Sequence, residues 1–177
     1  MKIISKNTTI DKILDSYQKE LGTYFDTYRN HVYRVFNFAS SYLTSDLDFE
    51  IVAIAAAFHD LGIWTNRTFD YLEPSKVLAQ NYCKENKISN EKFLEIEKII
   101  DFHHKMTRIK ELKLAEIFRQ ADLVDLSLGM IRMGRDKDLI KSLKKEFPNC
   151  GFHLYLVKLF FINIIKHPLK PLPMFKI

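Results

Sequence analysis

The sequence predicts an all-α fold, a bundle of about eight helices in a single domain. Three observations carry that prediction. Glycine and proline number only five each in 177 residues, so helix breakers are scarce. Apolar residues recur three and four positions apart through most of the chain, the period of an amphipathic helix. Alternating runs that would read as half-buried strands are few.

The elements follow in order. Helices are expected over 8–20 and 24–43, with Gly22 punctuating them. The second carries Tyr24, Tyr28, Val35, Phe38 and Tyr42 as a stripe that His31 joins, so His31 should face the core. A third helix over 48–61 follows Ser45-Asp46, an N-cap sequence. Its run Ile51 to Phe58 is apolar throughout, which reads as a helix buried nearly all round. The stretch from Gly62 to Glu73 is a long loop positioned to cover a substrate, with Trp64 and Tyr71 at its mouth. Pro74 suits the first turn of a helix over 74–86. In the helix over 90–105, Phe93, Ile96 and Ile100 form a stripe that His103 extends by a turn. The helix over 111–129 carries Asp122 on the face of Ala115 and Phe118. Helices over 135–146 and 152–166 complete the bundle, separated by the turn Asn149-Cys150-Gly151. The segment Leu154 to Ile165 is too short to span a bilayer and reads as a buried helix. The tail from Pro168 to Pro173 cannot continue it and is expected to lie extended over the surface.

Composition narrows the function. Hydrophobic residues make up 47% of the chain, which excludes disorder and leaves enough for a real core. Cys83 and Cys150 form no C-x-x-C motif, so neither a thiolate zinc site nor a disulfide framework is expected, and a cytoplasmic location fits. The first residues lack the apolar core of a signal peptide. The net charge is +5, but basic residues are interspersed with acidic ones. That pattern gives no specific nucleic-acid signal and is read as ordinary surface with some pull on an anionic substrate.

The chemistry concentrates at His59-Asp60, which ends the most apolar helix. Burying an imidazole and a carboxylate there is costly without a partner, and a divalent metal suits both. His31 and Asp122 bring further metal-capable groups inward from two other helices, and carboxylates rarely occupy such faces unpaired.

The order His31, His59-Asp60, Asp122 resembles the H…HD…D pattern of the HD-domain superfamily of metal-dependent phosphohydrolases. The flanks Asn30-His31-Val32-Tyr33-Arg34-Val35, Ala57-Phe58-His59-Asp60-Leu61-Gly62 and Ala121-Asp122-Leu123-Val124-Asp125 strengthen the likeness, which covers about residues 20–130. The C-terminal helix and Pro-containing tail, 150–177, lie beyond that core within one domain spanning 1–177. The resemblance implies that His31, His59, Asp60 and Asp122 bind a divalent ion, with Mn, Fe, Zn, Co, Ni and Mg all compatible. Leu61-Gly62-Ile63-Trp64 lacks the lysine that many members carry after the doublet. The Glu-Asp pair of alarmone hydrolases and the Gly-Tyr-Pro of the cyclic-di-GMP branch are also missing. Phe69 to Ser75 and Pro171 to Phe175 resemble an uncharacterised bacterial subgroup.

Several residues carry two readings. His103 and His104 could bind a second metal, contact a substrate phosphate as catalytic groups, or, for His103, simply pack at a helix end. Asp60 could bind metal and take a proton from water. Arg34, Lys105 and Arg108 could hold phosphate oxygens, although Arg34 could instead pair with Asp60 or Asp125. Asp125 could orient a ligand histidine or serve as a cap. Arg119, Glu73 and Asp70 are weaker candidates, and His153 and His167 are assigned to surface or packing. The expected function is hydrolysis of a small phosphate ester or nucleotide. The alternatives are an HD-type diiron oxygenase, which needs both His103 and His104 as ligands, and a metal-stabilised regulatory or ligand-binding module. No membrane partner is expected, and the apolar C-terminal helix offers a face for a homodimer.

Overall fold

The computed structural model of the protein describes residues 3–169 and 172–174. All regular structure in them is helical: α1 Thr8–Ser16, α2 Gln18–Leu21, a 3-10 turn at Gly22–Tyr24, α3 Phe25–Ser40, α4 Asp46–Phe58, α5 Gly62–Thr65, α6 Leu72–Glu85, α7 Asn90–Phe102, α8 Lys113–Leu126, α9 Lys137–Glu146 and α10 Phe152–Lys166. The expected eight long helices are present, while α2 and α5 are single turns. The first expected helix breaks at Tyr17. Its start is set by Asn7, whose side chain accepts from the amides of Thr9 and Ile10. Ser45 caps α4 by accepting from Asp48 N, as its position predicted.

Two helices form the inner layer. Thirteen of the sixteen residues of α3 are buried, and in α4 every residue from Ile51 to Phe58 is buried. α3 packs along α8, and α4 is enclosed by α1, α3 and α7. α6 covers α7 and α4 from outside. The termini of the α3 stripe, Tyr24 and Tyr42, are exposed.

The segment after the doublet is shorter as a loop than expected, because α5 takes its first turn and α6 begins at Leu72. Gly62 makes this tight return possible. A Cβ at that position would lie 2.6 Å from Tyr71 O and 3.0 Å from both Pro74 Cβ and Ser75 Oγ. Gly62 N donates to Ser75 Oγ, so the start of α6 is clamped against the doublet.

One expectation about the C-terminal region is corrected. α10 is not a buried helix: only Phe152 is fully enclosed, while Leu154, Phe161 and Ile165 are 75%, 60% and 81% exposed. Its composition is apolar all round, but the bundle offers it a surface on one side only. The described residues of the 168–173 tail do lie at the surface, with Pro168, Leu169 and Leu172 exposed and Pro173 half-buried, while Met174 just beyond them is buried. Lys170, Pro171 and Phe175 of that tail lie outside the described residues. Among the described residues, no helix is long and apolar enough to cross a membrane.

Candidate metal centre

Four helix ends and faces converge on one point. Tyr28, one turn before His31 on α3, fixes the end of α4. Its hydroxyl donates to Ala57 O at 3.0 Å and accepts from Asp60 N at 3.3 Å. The doublet therefore leaves the helix with both side chains inward, and His59 and Asp60 are buried. α8 contributes Asp122 and Asp125 at the same three-and-four spacing as Ala115 and Phe118. The end of α7 contributes His103 and His104.

Three histidines share one hydrogen-bonding pattern. His59 Nδ1 lies 2.8 Å from Ala56 O, His103 Nδ1 lies 2.7 Å from Ile100 O, and His31 Nδ1 lies 2.7 Å from Asp125 Oδ2. A proton on each Nδ1 satisfies an acceptor and leaves Nε2 to face the centre, the tautomer a metal ligand requires. His104 is turned the other way. Its Nε2 lies 2.6 Å from the Tyr71 hydroxyl, and its Nδ1 lies 3.6 Å from Asp122 Oδ2.

The two inward carboxylates each face two ways. Asp60 Oδ2 lies 3.5 Å from His31 Nε2 and 3.6 Å from His59 Nε2, while its Oδ1 lies 3.4 Å from His103 Nε2. Asp122 Oδ1 lies 3.7 Å from His31 Nε2 and 3.9 Å from His59 Nε2, opposite the Oδ2 that faces His104. The donors sort into two groups of metal-binding span, His31-His59-Asp122 and Asp60-His103-His104.

These residues fit a divalent metal on a direct test. Asp60 Oδ1, both carboxylate oxygens of Asp122 and His103 Nε2 are buried and make no hydrogen bond. Buried polar atoms are ordinarily satisfied, so orphans gathered at one point indicate a missing partner. His31 Nε2 and His59 Nε2 are 2.9 Å apart, so a proton or a cation must lie between their lone pairs.

Without a metal, a proton fills that role. Burial alone would lower the His31 pKa, but the hydrogen bonds to Asp125 and Asp60 outweigh it and raise it to about 9. Burial lowers His59 to about 3 despite the nearby Asp60 charge. The imidazolium of His31 thus donates to neutral His59. His103 is raised, because Asp60 outweighs the effect of its burial, while burial and His103 together depress His104. Burial would raise Asp60, but the surrounding histidines hold it low, and burial pushes Asp122 up.

Of the two readings of Arg34, the structure supports the pairing with Asp125 and corrects the phosphate role. Its Nε and Nη2 donate to Asp125 Oδ1 and Oδ2 at 2.6 and 2.9 Å, and Nη1 donates to Phe147 O at 2.9 Å. The guanidinium is buried and engaged on every side, so it anchors the carboxylate that orients His31 and has no free edge for a substrate. Burial would raise the Asp125 pKa, but His31 and Arg34 together hold it far below the usual carboxylate range.

Lys105 lines a cavity of about 120 Å³ that His103, His104, Asp122 and Arg119 also border. Arg119 is clasped by Glu116 at 2.8 Å. Arg108 is exposed on the following loop and lines neither the cavity beside His103 nor the one beside Asp60. Glu73 pairs with Lys76 at the surface, and Asp70 accepts no role at the centre. Trp64 is buried against Tyr28 and Tyr155, away from the pocket mouth. His153 packs with its Nε2 3.0 Å from Asp125 O. Tyr28 and Tyr71 are functional neighbours that the sequence reading did not connect to their partners. The i, i+3 spacing of Tyr28 and His31 was the available signal for the first, and a loop tyrosine gives none for the second.

The HD domain family model matches residues 28–127, a span that includes all six inward donors and Asp125. No curated protein and no solved structure matches the chain. With its inward histidines and carboxylates in the family's order on an all-helical frame, the chain belongs to the HD-domain family, a superfamily of metal-dependent hydrolases.

Proposed function

We propose that the protein is a phosphohydrolase that cleaves a phosphate ester with two divalent cations held by His31, His59, Asp60, His103, His104 and Asp122. The observation that carries this reading is the two-sided exposure of Asp60 and Asp122. Each offers one oxygen toward His31 and His59 and the other toward His103 or His104. Carboxylates shared between two clusters suit a two-metal site for an in-line displacement.

Bound there, the cations would supply Lewis acidity, acidifying a water and polarising a phosphoryl oxygen. The chain does the rest. Asp125, locked by Arg34, holds His31 in one orientation. Tyr71 does the same for His104. Asp60 accepts the proton of the attacking water. Lys105, which borders the small cavity with its ammonium over the Phe102 ring, would swing to neutralise phosphoryl oxygens that do not react. Burial of the centre strengthens each of these interactions by lowering the local dielectric.

The test uses full-length protein loaded with Mn, Fe, Co or Zn and a general phosphomonoester such as p-nitrophenyl phosphate. Phosphate release is expected, and Asp60→Ala should lose metal and turnover together. Full turnover by metal-free Asp60→Ala protein would refute the reading. The same six donors favour a second reading, an oxygenase with two irons. It predicts oxygen consumption by iron-loaded protein and no hydrolysis with redox-inert ions.

A further inference from the structure

We propose that the organic group of the substrate is apolar, so that the enzyme acts on phosphomonoesters of alkyl or similar hydrophobic alcohols rather than on nucleotides. This rests on the hydrolase reading above. A cavity of about 270 Å³ opens at the centre, with Asp60 and His104 in its wall. The rest of that wall is formed chiefly by Phe69, Leu126, Leu156, Val157, Phe160 and Met174. These come from the loop before α6, the end of α8, one side of α10 and the tail, so four separate segments supply the same chemistry.

The polar groups of the wall belong to the centre itself. The Tyr71 hydroxyl is engaged by His104. Among the described lining residues there is no amide, guanidinium or ammonium group. A nucleobase or sugar entering this cavity would leave its hydrogen-bonding edges unanswered, and a binding site rejects such groups when it offers no replacement for water. Polyphosphate would meet no cation along the wall. The cationic side chains that approach the centre, Lys105 and Arg119, border the smaller cavity beside His103 and Asp122. The phosphoryl group and the organic group therefore meet surfaces of different character.

The apolar surface does not end at the cavity. Val157 belongs both to the wall and to the exposed stripe of α10 that includes Leu154, Phe161 and Ile165. Longer chains can continue along that stripe. In the reaction, a water oxygen forms a new bond to phosphorus and the phosphorus–oxygen bond to the alcohol breaks. A proton passes from water to the leaving alcohol, so the products are the apolar alcohol and inorganic phosphate.

The experiment measures kcat/KM of the metal-loaded full chain for n-alkyl phosphates from methyl to octyl, beside nucleoside 5′-monophosphates. Burial of each methylene should raise kcat/KM about fourfold over the first several carbons. Octyl phosphate should exceed every nucleotide by about a hundredfold or more. A flat or falling series, or a preference for nucleotides, overturns the proposal. Calorimetric binding of n-alkylphosphonates, which are not hydrolysed, separates this inference from the hydrolase reading. Affinity that climbs with chain length while no phosphate is ever released from any ester refutes the hydrolase and supports the apolar site. Turnover without chain-length dependence refutes the apolar site alone. Val157→Asp, at a half-exposed position that tolerates a charge, should reduce the gain to about twofold or less per methylene, and an unchanged slope would count against the cavity as the binding site.

Discussion

Replacing Asp125 with asparagine should weaken two properties that can be measured separately. Asp125 receives Arg34 Nε and Nη2 at 2.6 and 2.9 Å and His31 Nδ1 at 2.7 Å, all out of contact with water. Asparagine keeps the shape but removes the charge and, in either amide orientation, turns one acceptor into a donor aimed at a donor. Arg34 then remains buried without a counter-charge, held by the amide oxygen and the Phe147 and Pro148 carbonyls. Breaking one side of a buried ion pair costs about 3–5 kcal/mol. One retained hydrogen bond to the amide oxygen, about 1 kcal/mol, brings the expected loss to about 2–4 kcal/mol. At this chain length each kcal/mol corresponds to about 2–4 °C, so Tm should fall by about 4–16 °C. The second effect falls on the metal. His31 loses the carboxylate that fixes its ring and raises its basicity, and affinity should drop about 10–100-fold. Calorimetric metal titration of the folded variant, beside thermal unfolding of the metal-free protein, reads the two effects independently. Tm within 2 °C of wild type together with unchanged metal affinity would refute the assignment of Asp125.

Other consequences follow from the same geometry. Gly62→Ala drives a Cβ against Tyr71 O and should cost about 1–3 kcal/mol by overpacking, while moving Tyr71 away from His104. A melting temperature equal to wild type would show that the α6 clamp is loose. Metal binding at pH 7.5 should release at least one proton, because His31, with its pKa raised to about 9, is protonated in the metal-free chain, His103 and Asp122 are also raised, and a ligand must be deprotonated. Titrations in buffers of different ionisation enthalpy measure this, and affinity should rise with pH until about 9; a release of zero would contradict the shared proton between His31 and His59. Glu116 has its pKa lowered from 4.5 to about 2, since Arg119, Ile109 N and Gln120 outweigh its burial. Its stabilising effect is complete above pH 4.5 and lost as pH falls toward 2. Glu116→Gln should flatten Tm against pH over that window only, and an unaltered acid profile would argue that the Arg119 clasp contributes nothing.

The helical frame was legible because burial pattern and helix period agree along α3, α4, α7 and α8. His31, His59, Asp60 and Asp122 were legible for the same reason: polar groups at positions the period assigns to the core need an explanation. Arg34 carries two readings in the sequence because spacing fixes only which face it shares with His31. Which of two acceptors it meets depends on how α8 packs on α3. Composition alone makes α10 look buried, but burial requires a neighbour on every side and the bundle supplies one side. The pairing of Tyr71 with His104 spans 33 residues and depends on the clamp at Gly62, a long-range contact that no local pattern records.

The central claim is that six inward donors hold divalent metal. Elemental analysis of protein purified without a histidine tag or chelator, and loaded with a divalent ion, tests it most directly. The account predicts two equivalents per chain, about one after His103→Ala with His104→Ala, and none after Asp60→Ala with Asp122→Ala. Metal-free protein under every loading condition, or an unchanged content in the Asp60→Ala, Asp122→Ala variant, would contradict it.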